Sequence, residues 1–191
     1  MTACDNWHFF DVINTSYSSD NFLNAQFNNM SAFTDSLTQN QFVVAQAPGL
    51  PQGQQGLFFV ASPRFGQQIP KNQLLCNYAN DLECFDTEEA AKRARYADYS
   101  VQVSSACFVA PTTIQPKQDN LGLFCNCALK RDPLRQTTNA KLSCSFDHDS
   151  NGAKRPRIRI KSTKTIYSGQ EVLISYGPSY VRYLNQKLSS E

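Results

Sequence analysis

Short runs of strand-forming residues, each ended by a turn signal, follow one another through most of this 191-residue chain. The runs that are apolar, or that alternate apolar with polar residues, are residues 42–44, 56–61, 73–78, 99–103, 107–110, 140–146, 158–161 and 165–167. Such runs predict strands, whereas residues 86–94, with acids at the start and bases at the end, predict a capped helix. Strands do not alternate with long helices, so the sequence predicts a mainly β domain with short helices, of the α+β class.

The first 40 residues differ from the rest because they are rich in Asn, Ser, Asp and Phe and show little periodicity. They predict an appended segment that packs on the domain, with short helices at residues 18–27 and 31–37. The domain itself is expected at residues 41–178, and a C-terminal helix or tail at residues 179–191. Within the domain, residues 63–70 have a proline at each end and predict a loop.

Cysteine content and hydropathy limit the class of protein. The chain has seven cysteines, an odd number, and residues 1–14 lack the charged and apolar regions of a secretion signal. These features predict free thiols in a reducing, intracellular compartment rather than a disulfide framework. No apolar run is long enough to span a bilayer, so a soluble protein without a membrane partner is expected.

Positive charge is concentrated in the second half of the chain. Residues 1–100 hold ten acids and five bases, whereas residues 117–165 hold four acids and eleven bases. In residues 154–161, a period of two puts the bases on one face of a strand, opposite Ile158 and Ile160. A solvated strand face is the preferred interpretation. The alternatives are a nuclear localisation patch and a surface for an acidic partner or nucleosomal DNA.

A tyrosine followed by a glycine and a proline closes the last strand-like stretch of the sequence. The residues before that stretch predict another strand and a tight turn at Ser168 and Gly169, so a hairpin-like end of the domain is expected. A strand cannot continue through Gly177 and Pro178, so the phenol of Tyr176 would lie at a strand end, on rigid backbone with one side open. That position suits a hydroxyl aimed at a ligand, and a tyrosine that merely borders a turn explains the pattern equally well.

Four short pieces of sequence occur in a fixed order. They are Gly-Gln-Gln-Gly-Leu-Phe at residues 53–58, Leu-Cys-Asn-Tyr-Ala-Asn at 75–80, Phe-Cys-Asn-Cys at 124–127 with Thr-Asn-Ala at 138–140, and Gly-Gln-Glu-Val-Leu-Ile-Ser-Tyr-Gly at 169–177. In this order they resemble the SET-domain protein lysine methyltransferases, with similarity over residues 42–180. The resemblance implies a β-clip of small sheets with a knot-like crossing near the C-terminus, to which Asn139 contributes.

The same resemblance implies an activity, the transfer of a methyl group from S-adenosyl-L-methionine to a lysine of a protein. A histone or another basic protein tail is the expected substrate, nucleic acid is at most a secondary partner, and a nuclear location is favoured over a cytoplasmic one. A second interpretation is a SET-like binding module that has lost catalysis, because Gln54 and Cys127 stand where the family usually has Gly and His.

Individual residues take family roles through this resemblance. Tyr176 and Tyr78 are expected to be catalytic, the first by polarising the site and the second by orienting the lysine amine. The expected cofactor-binding residues are Gln55, Gly56, Leu57, Phe58, Asn126 and Cys127. The expected substrate channel is Ile174, Leu142 and Tyr180. Gly56 would let backbone approach the cofactor, and Asn126 would bind its amino and carboxylate ends. Ile174 lacks a hydroxyl, which favours di- or trimethylation.

A metal site is the remaining alternative for the cysteines of the second half. Cys125, Cys127, Cys144 and His148 could hold zinc, but their spacing does not match that of common structural zinc sites. Residues 177–191 contain no cysteine, so the zinc segment that follows many SET domains is not expected. The sequence therefore predicts no metal.

Overall fold

The computed structural model describes residues 31–47, 53–127, 137–148 and 151–176. The strands of these residues are β1 (Ser31–Thr34), β2 (Gln41–Gln46), β3 (Gln55–Ala61), β4 (Gln68–Ile69), β5 (Leu74–Asn77), β6 (Leu82–Phe85), β7 (Val101–Ser104), β8 (Cys107–Pro111), β9 (Asn126–Cys127), β10 (Ala140–His148), β11 (Lys154–Ser162), β12 (Ile166–Tyr167) and β13 (Leu173–Ile174). The helices are α1 (Glu88–Ala91) and two 3₁₀ turns, η1 (Ala97–Tyr99) and η2 (Leu121–Phe124). The predicted fold class, mainly β with short helices, is confirmed.

The strands of the described residues form small sheets rather than one large one. Their strand orders are β1-β2-β3, β10-β11-β5, β6-β8-β7, β12-β4 and β13-β9. Only the last pair is parallel. The sheets share an apolar core that includes the fully buried Phe42, Phe59, Leu75, Ile160 and Ile174. The rings of Phe42 and Phe59 meet edge to face across β2 and β3, with centroids 5.9 Å apart.

The longest hairpin is β10 and β11, paired in unbroken register from Ala140 opposite Ser162 to His148 opposite Lys154. Ile158 and Ile160 are buried, as the period of two predicts. On the other face, Arg157 Nε lies 2.6 Å from Asp147 Oδ2 and remains partly exposed. Residues 154–161 therefore lie on a strand, as predicted, and its basic face is exposed at Arg155 and half-buried at Arg157, Arg159 and Lys161.

The predicted helix at residues 31–37 is wrong, because Ser31–Thr34 is a strand that pairs antiparallel with β2. The apolar edge of β2 offers backbone partners that the isolated segment cannot supply, and tertiary pairing outweighs local propensity. A turn then connects the two strands, where buried Asp35 accepts hydrogen bonds from the backbone and hydroxyl of Thr38, each 2.8 Å long. The predicted helix at 18–27 lies outside the described residues, and the domain boundaries stay a prediction.

Three predictions in the rest of the domain need correction. Residues 63–70 are not wholly loop, because β4 pairs antiparallel with β12 and buries Ile69 against Ile166. The turn after β12 exists, with Gly169 at φ 81°. However, β13 pairs in parallel with β9 instead of forming a hairpin with β12. Residues 86–94 contain a shorter helix than predicted, α1, capped by the Thr87 side chain. No described helix is long and apolar enough to cross a membrane.

Candidate active site

A cavity of about 670 Å³ opens between β3, β13, the end of β5 and the segment from η1 to β7. Its wall contains three of the predicted cofactor-binding residues, Gln55, Asn126 and Cys127. It also contains the two predicted catalytic tyrosines, Tyr78 and Tyr176, and two predicted channel residues, Leu142 and Ile174. Residues separated by up to 121 positions in sequence (55 to 176) therefore share one wall.

The other predicted site residues lie elsewhere. Leu57 is fully buried in the core. Phe58 is half-buried, and its backbone forms an isolated antiparallel β-bridge with Glu171. Gly56 is buried beneath the side chains of Glu171 and Asn126, where it makes room for them. None of these three contributes to the cavity wall in the described part of the chain. Tyr180 lies outside the described residues.

Tyr176 follows β13 at the mouth of the cavity, and 38% of its surface is exposed. Its hydroxyl donates a hydrogen bond to the backbone carbonyl of Cys125, just before β9. The parallel pairing of β9 with β13 sets the two segments side by side and so brings this carbonyl within reach. A phenol has one hydrogen to donate. Toward a ligand, the Tyr176 oxygen therefore acts as an acceptor.

Tyr78 approaches the cavity from the end of β5 and is almost fully buried, with 6% exposure. Its backbone N–H donates to Ile158 O at 2.9 Å, and its hydroxyl donates to Tyr99 O at 2.8 Å. The main chain thus fixes both ends of this residue. The two phenols have the same arrangement, because each hydroxyl donates its hydrogen to a main-chain carbonyl. Toward a ligand, each hydroxyl oxygen can therefore act only as an acceptor.

Asn126 has a fixed amide orientation. Its Nδ2 atom donates to the Gln55 carbonyl at 3.0 Å and to Glu171 Oε1 at 2.8 Å. Both partners are acceptors, so an exchanged amide, with Oδ1 in that place, would face two oxygens. The acceptor Oδ1 takes part in neither bond.

Asn139 ties the segment before β10 to the segment that leads to Tyr176. Its Nδ2 donates to Glu171 O, and its Oδ1 accepts from Leu173 N, both at 2.8 Å. Its backbone N–H also donates to Leu173 O at 3.0 Å. This buried amide therefore acts on backbone rather than on the cavity, which fits the structural role inferred for it.

A family model described as the SET domain matches residues 65–177, more than half of the chain. The chain belongs to the SET-domain family.

Solved structures with a related fold exist, and 72 chains match this SET domain. One is a chain of the structure described as "Apo ctPRC2 in an autoinhibited state", with a TM-score of 0.41 and 16% sequence identity. The alignment covers 84% of the present chain and only 17% of that one. A likeness this slight supports no argument about function. A search of curated proteins finds no match.

Several residues of the site within the SET domain have no counterpart in the sequence predictions. Glu171 is 4% exposed and contacts Asn126, although it was not among the predicted site residues. Two signals distinguish it: it lies in the family-like piece at residues 169–177, and it is the only acid in residues 150–190. Residues 98–102, after the short helix α1, also line the cavity and include the carbonyl that holds Tyr78.

The described cysteines of the SET domain are free thiols. Burial raises the pKa of the Cys76 and Cys125 thiols, and the nearby Glu171 carboxylate adds to the rise at Cys125. No group of three or more Cys, His, Asp or Glu within the described residues is arranged to hold a metal ion. The four residues of the zinc alternative, all of them described, therefore do not form a site.

Thiol labelling is expected to separate these cysteines. Cys84 and Cys144 are exposed, whereas Cys76 and Cys125 are buried. Burial raises the pKa of all four thiols, and most strongly at Cys76 and Cys125, which carry little thiolate at neutral pH. A maleimide should therefore modify Cys84 and Cys144 in the native protein well before Cys76 and Cys125, as peptide mass spectrometry would show. Equal rates at all four positions in the native state, matching those in urea, would contradict this packing.

Proposed function

We propose that this SET-domain chain is a protein-lysine N-methyltransferase that uses S-adenosyl-L-methionine and acts on a histone or another basic protein tail. The observation that supports it best is the convergence of Tyr78, Asn126 and Tyr176 on one cavity wall. A nuclear location, where such tails are abundant, accompanies the proposal. The broader statement, membership of a family of lysine methyltransferases, rests on the family match alone.

The cavity fits the cofactor in size and chemistry. Small-molecule sites usually measure about 300–1,000 Å³ and combine apolar walls with a few fixed polar groups. The observed volume of about 670 Å³ lies within that range, and Leu123 and Ile114 contribute apolar wall. Asn126 Oδ1 is a hydrogen-bond acceptor suited to the ammonium group of an amino-acid-like ligand. When bound, S-adenosyl-L-methionine would supply a methyl group on a sulfonium for the lysine nitrogen to bond to, with S-adenosyl-L-homocysteine as the leaving group.

The task of the protein is then to align a neutral amine. A lysine ammonium has a pKa of about 10.4 and must lose a proton before it attacks, and an apolar channel lowers that pKa because it disfavours charge. Leu142 and Ile174 contribute such a surface. The hydroxyl oxygens of Tyr78 and Tyr176 accept the remaining N–H groups of the amine and turn its lone pair toward the methyl group. Ile174, which has no hydroxyl to hold a water, leaves room for more than one methylation.

The charge on the cavity wall agrees with a basic substrate. Asp98, on the short helix η1, is exposed and is the one acid that lines the cavity in the described part of the chain. It lies next to Tyr99, whose carbonyl holds the Tyr78 hydroxyl. A carboxylate here attracts the cationic neighbours of a target lysine.

The alternative is a SET-like module without catalysis. Gln54 and Cys127 both line the cavity, so the two departures from the family pattern lie at the site itself. Cys127 is 7% exposed. The family usually has a His at this position. The resemblance implies that this His contacts the cofactor largely through its backbone. This alternative predicts a folded protein that binds no cofactor, or binds it without transferring methyl groups.

Calorimetric titration of the full chain with S-adenosyl-L-methionine and S-adenosyl-L-homocysteine is the first test. Saturable binding of both, followed by methylated lysines in core histones by mass spectrometry, would support the proposal. A folded protein that binds neither ligand would overturn it. Binding without transfer to any histone or basic peptide would favour the inactive module.

Asn126→Ala should weaken S-adenosyl-L-methionine binding by about 10- to 100-fold, because a hydrogen bond to a charged group is worth roughly 1.5–3 kcal/mol. The measurement is the calorimetric Kd. Asn80→Ala, at an exposed position away from the cavity wall, is the matched control and should bind like the wild type. Equal affinities for Asn126→Ala and Asn80→Ala would show that Asn126 does not contact the cofactor.

A further inference from the structure

We infer that Glu171 is a positioning residue that holds Asn126 with Oδ1 toward the ligand, and that makes this part of the cavity selective for the α-ammonium group of the cofactor. The inference rests on the proposed function, because it concerns how the same cavity recognises its ligand. Glu171 does not line the cavity in the described residues and acts through Asn126. It is therefore distinct from the residues expected to touch the ligand.

The first step is geometric. The two hydrogens of Asn126 Nδ2 are both used, one by Glu171 Oε1 at 2.8 Å and one by the Gln55 carbonyl at 3.0 Å. A carboxylate accepts hydrogen bonds and cannot donate them, so this contact enforces one amide orientation. With Nδ2 committed, the Asn126 side chain offers a ligand an acceptor and no donor. A ligand ammonium satisfies that acceptor, whereas a ligand carboxylate would be repelled by it.

The second step is electrostatic. Glu171 is 4% exposed, so the field of its carboxylate passes through protein, where the effective dielectric constant is lower than in water. Its negative charge polarises the Asn126 amide and strengthens Oδ1 as an acceptor. The same charge favours a cation on the far side of the amide. Both effects are directed at the amino-acid end of the ligand, where the ammonium is.

The third step concerns the space that the carboxylate occupies. A Cβ atom on Gly56 would lie 2.3 Å from Glu171 Oε1 and 3.1 Å from Asn126 Nδ2. Backbone bonds hold the strands together here, with Val172 N donating to Leu57 O at 2.7 Å. A larger residue at position 56 would overlap the Glu171 carboxylate in its present position and push it away from Asn126. Glycine at this position therefore accommodates the Glu171–Asn126 pair.

The test compares ligands that have and lack the amino-acid end. In Glu171→Gln, the side chain keeps its size but loses its charge, and its amide can face Asn126 with either atom. Affinity for S-adenosyl-L-methionine and S-adenosyl-L-homocysteine should fall by about tenfold or more. Affinity for 5′-methylthioadenosine, which has no amino-acid end, should stay within about twofold, the usual tolerance for a contact that does not change. Glu89→Gln on the exposed face of α1 is the matched control, with wild-type affinity for all three.

The outcomes separate this inference from the proposed function. Failure of the wild-type protein to bind any of the three ligands overturns the proposed function and the inference with it. Wild-type binding combined with unchanged affinities in Glu171→Gln, or with equal losses for all three ligands, overturns only the inference. The ligands are also titrated into Glu171→Asp, which keeps the charge but is one methylene shorter and withdraws from Asn126. If Glu171→Gln does not fold, selective loss of the two amino-acid ligands in Glu171→Asp decides the question.

Discussion

Tyr176→Phe is expected to leave the fold intact and to lower methyl transfer by about 10²- to 10³-fold, the usual loss when one preorganised polar group is removed from an active site. The ring of Tyr176 is 38% exposed and stays in place in the variant, so little core contact is lost. What disappears is the hydroxyl that donates to the Cys125 carbonyl and that is proposed to accept from the lysine amine. Initial rates with a histone substrate, together with the cofactor Kd, measure the effect.

Tyr167→Phe provides the matched control for this variant. Tyr167 lies on β12 in the same part of the chain, is 52% exposed, and does not line the cavity in the described residues. It should methylate at the wild-type rate. The Tyr176→Phe protein should still bind cofactor, because the lost hydroxyl serves alignment rather than affinity. Wild-type turnover in Tyr176→Phe would remove this residue from the mechanism.

The strands of this SET domain follow from local sequence, whereas their partners do not. Residues 154–161 alternate so regularly that β11 and its buried face could be predicted, because one face of the strand contacts core along its length. By contrast, β4 and β9 are two residues long, too short for a period to be detected. Their pairings join distant segments, as where Leu173 meets Asn126, and no local pattern encodes such a choice.

The residues of the candidate site could be predicted for a different reason. Tyr78, Asn126 and Tyr176 were found through the order of short family pieces, and the structure puts all three on one wall. Glu171 was missed because a buried acid and an exposed one look alike in sequence, and only the contact with Asn126 distinguishes them. The contact of Gly56 with the Glu171 side chain has no local signal either, since the two residues are 115 positions apart (56 to 171).

Gly122→Ala is expected to reduce the free energy of unfolding by about 3 kcal/mol, at the upper end of the usual cost of overpacking. Gly122 lies in η2, which packs on β5, and an added Cβ would be 2.5 Å from Tyr78 Cα and 2.9 Å from Asn77 O. These are backbone atoms, and the hydrogen bond from Tyr78 N to Ile158 O holds them in place. The clash must therefore displace either η2 or the strand end that positions Tyr78.

Urea unfolding measures the loss, with Gly152→Ala as the control for the glycine substitution itself. Gly152 has φ 78° and nothing within 4 Å of an added Cβ, so alanine there brings backbone strain of about 1–2 kcal/mol and no clash. Gly122→Ala should be the less stable of the two, and it should also lose methyl transfer where the clash displaces the strand end that positions Tyr78. If Gly122→Ala were as stable as the wild type, η2 could not be packed this closely against β5.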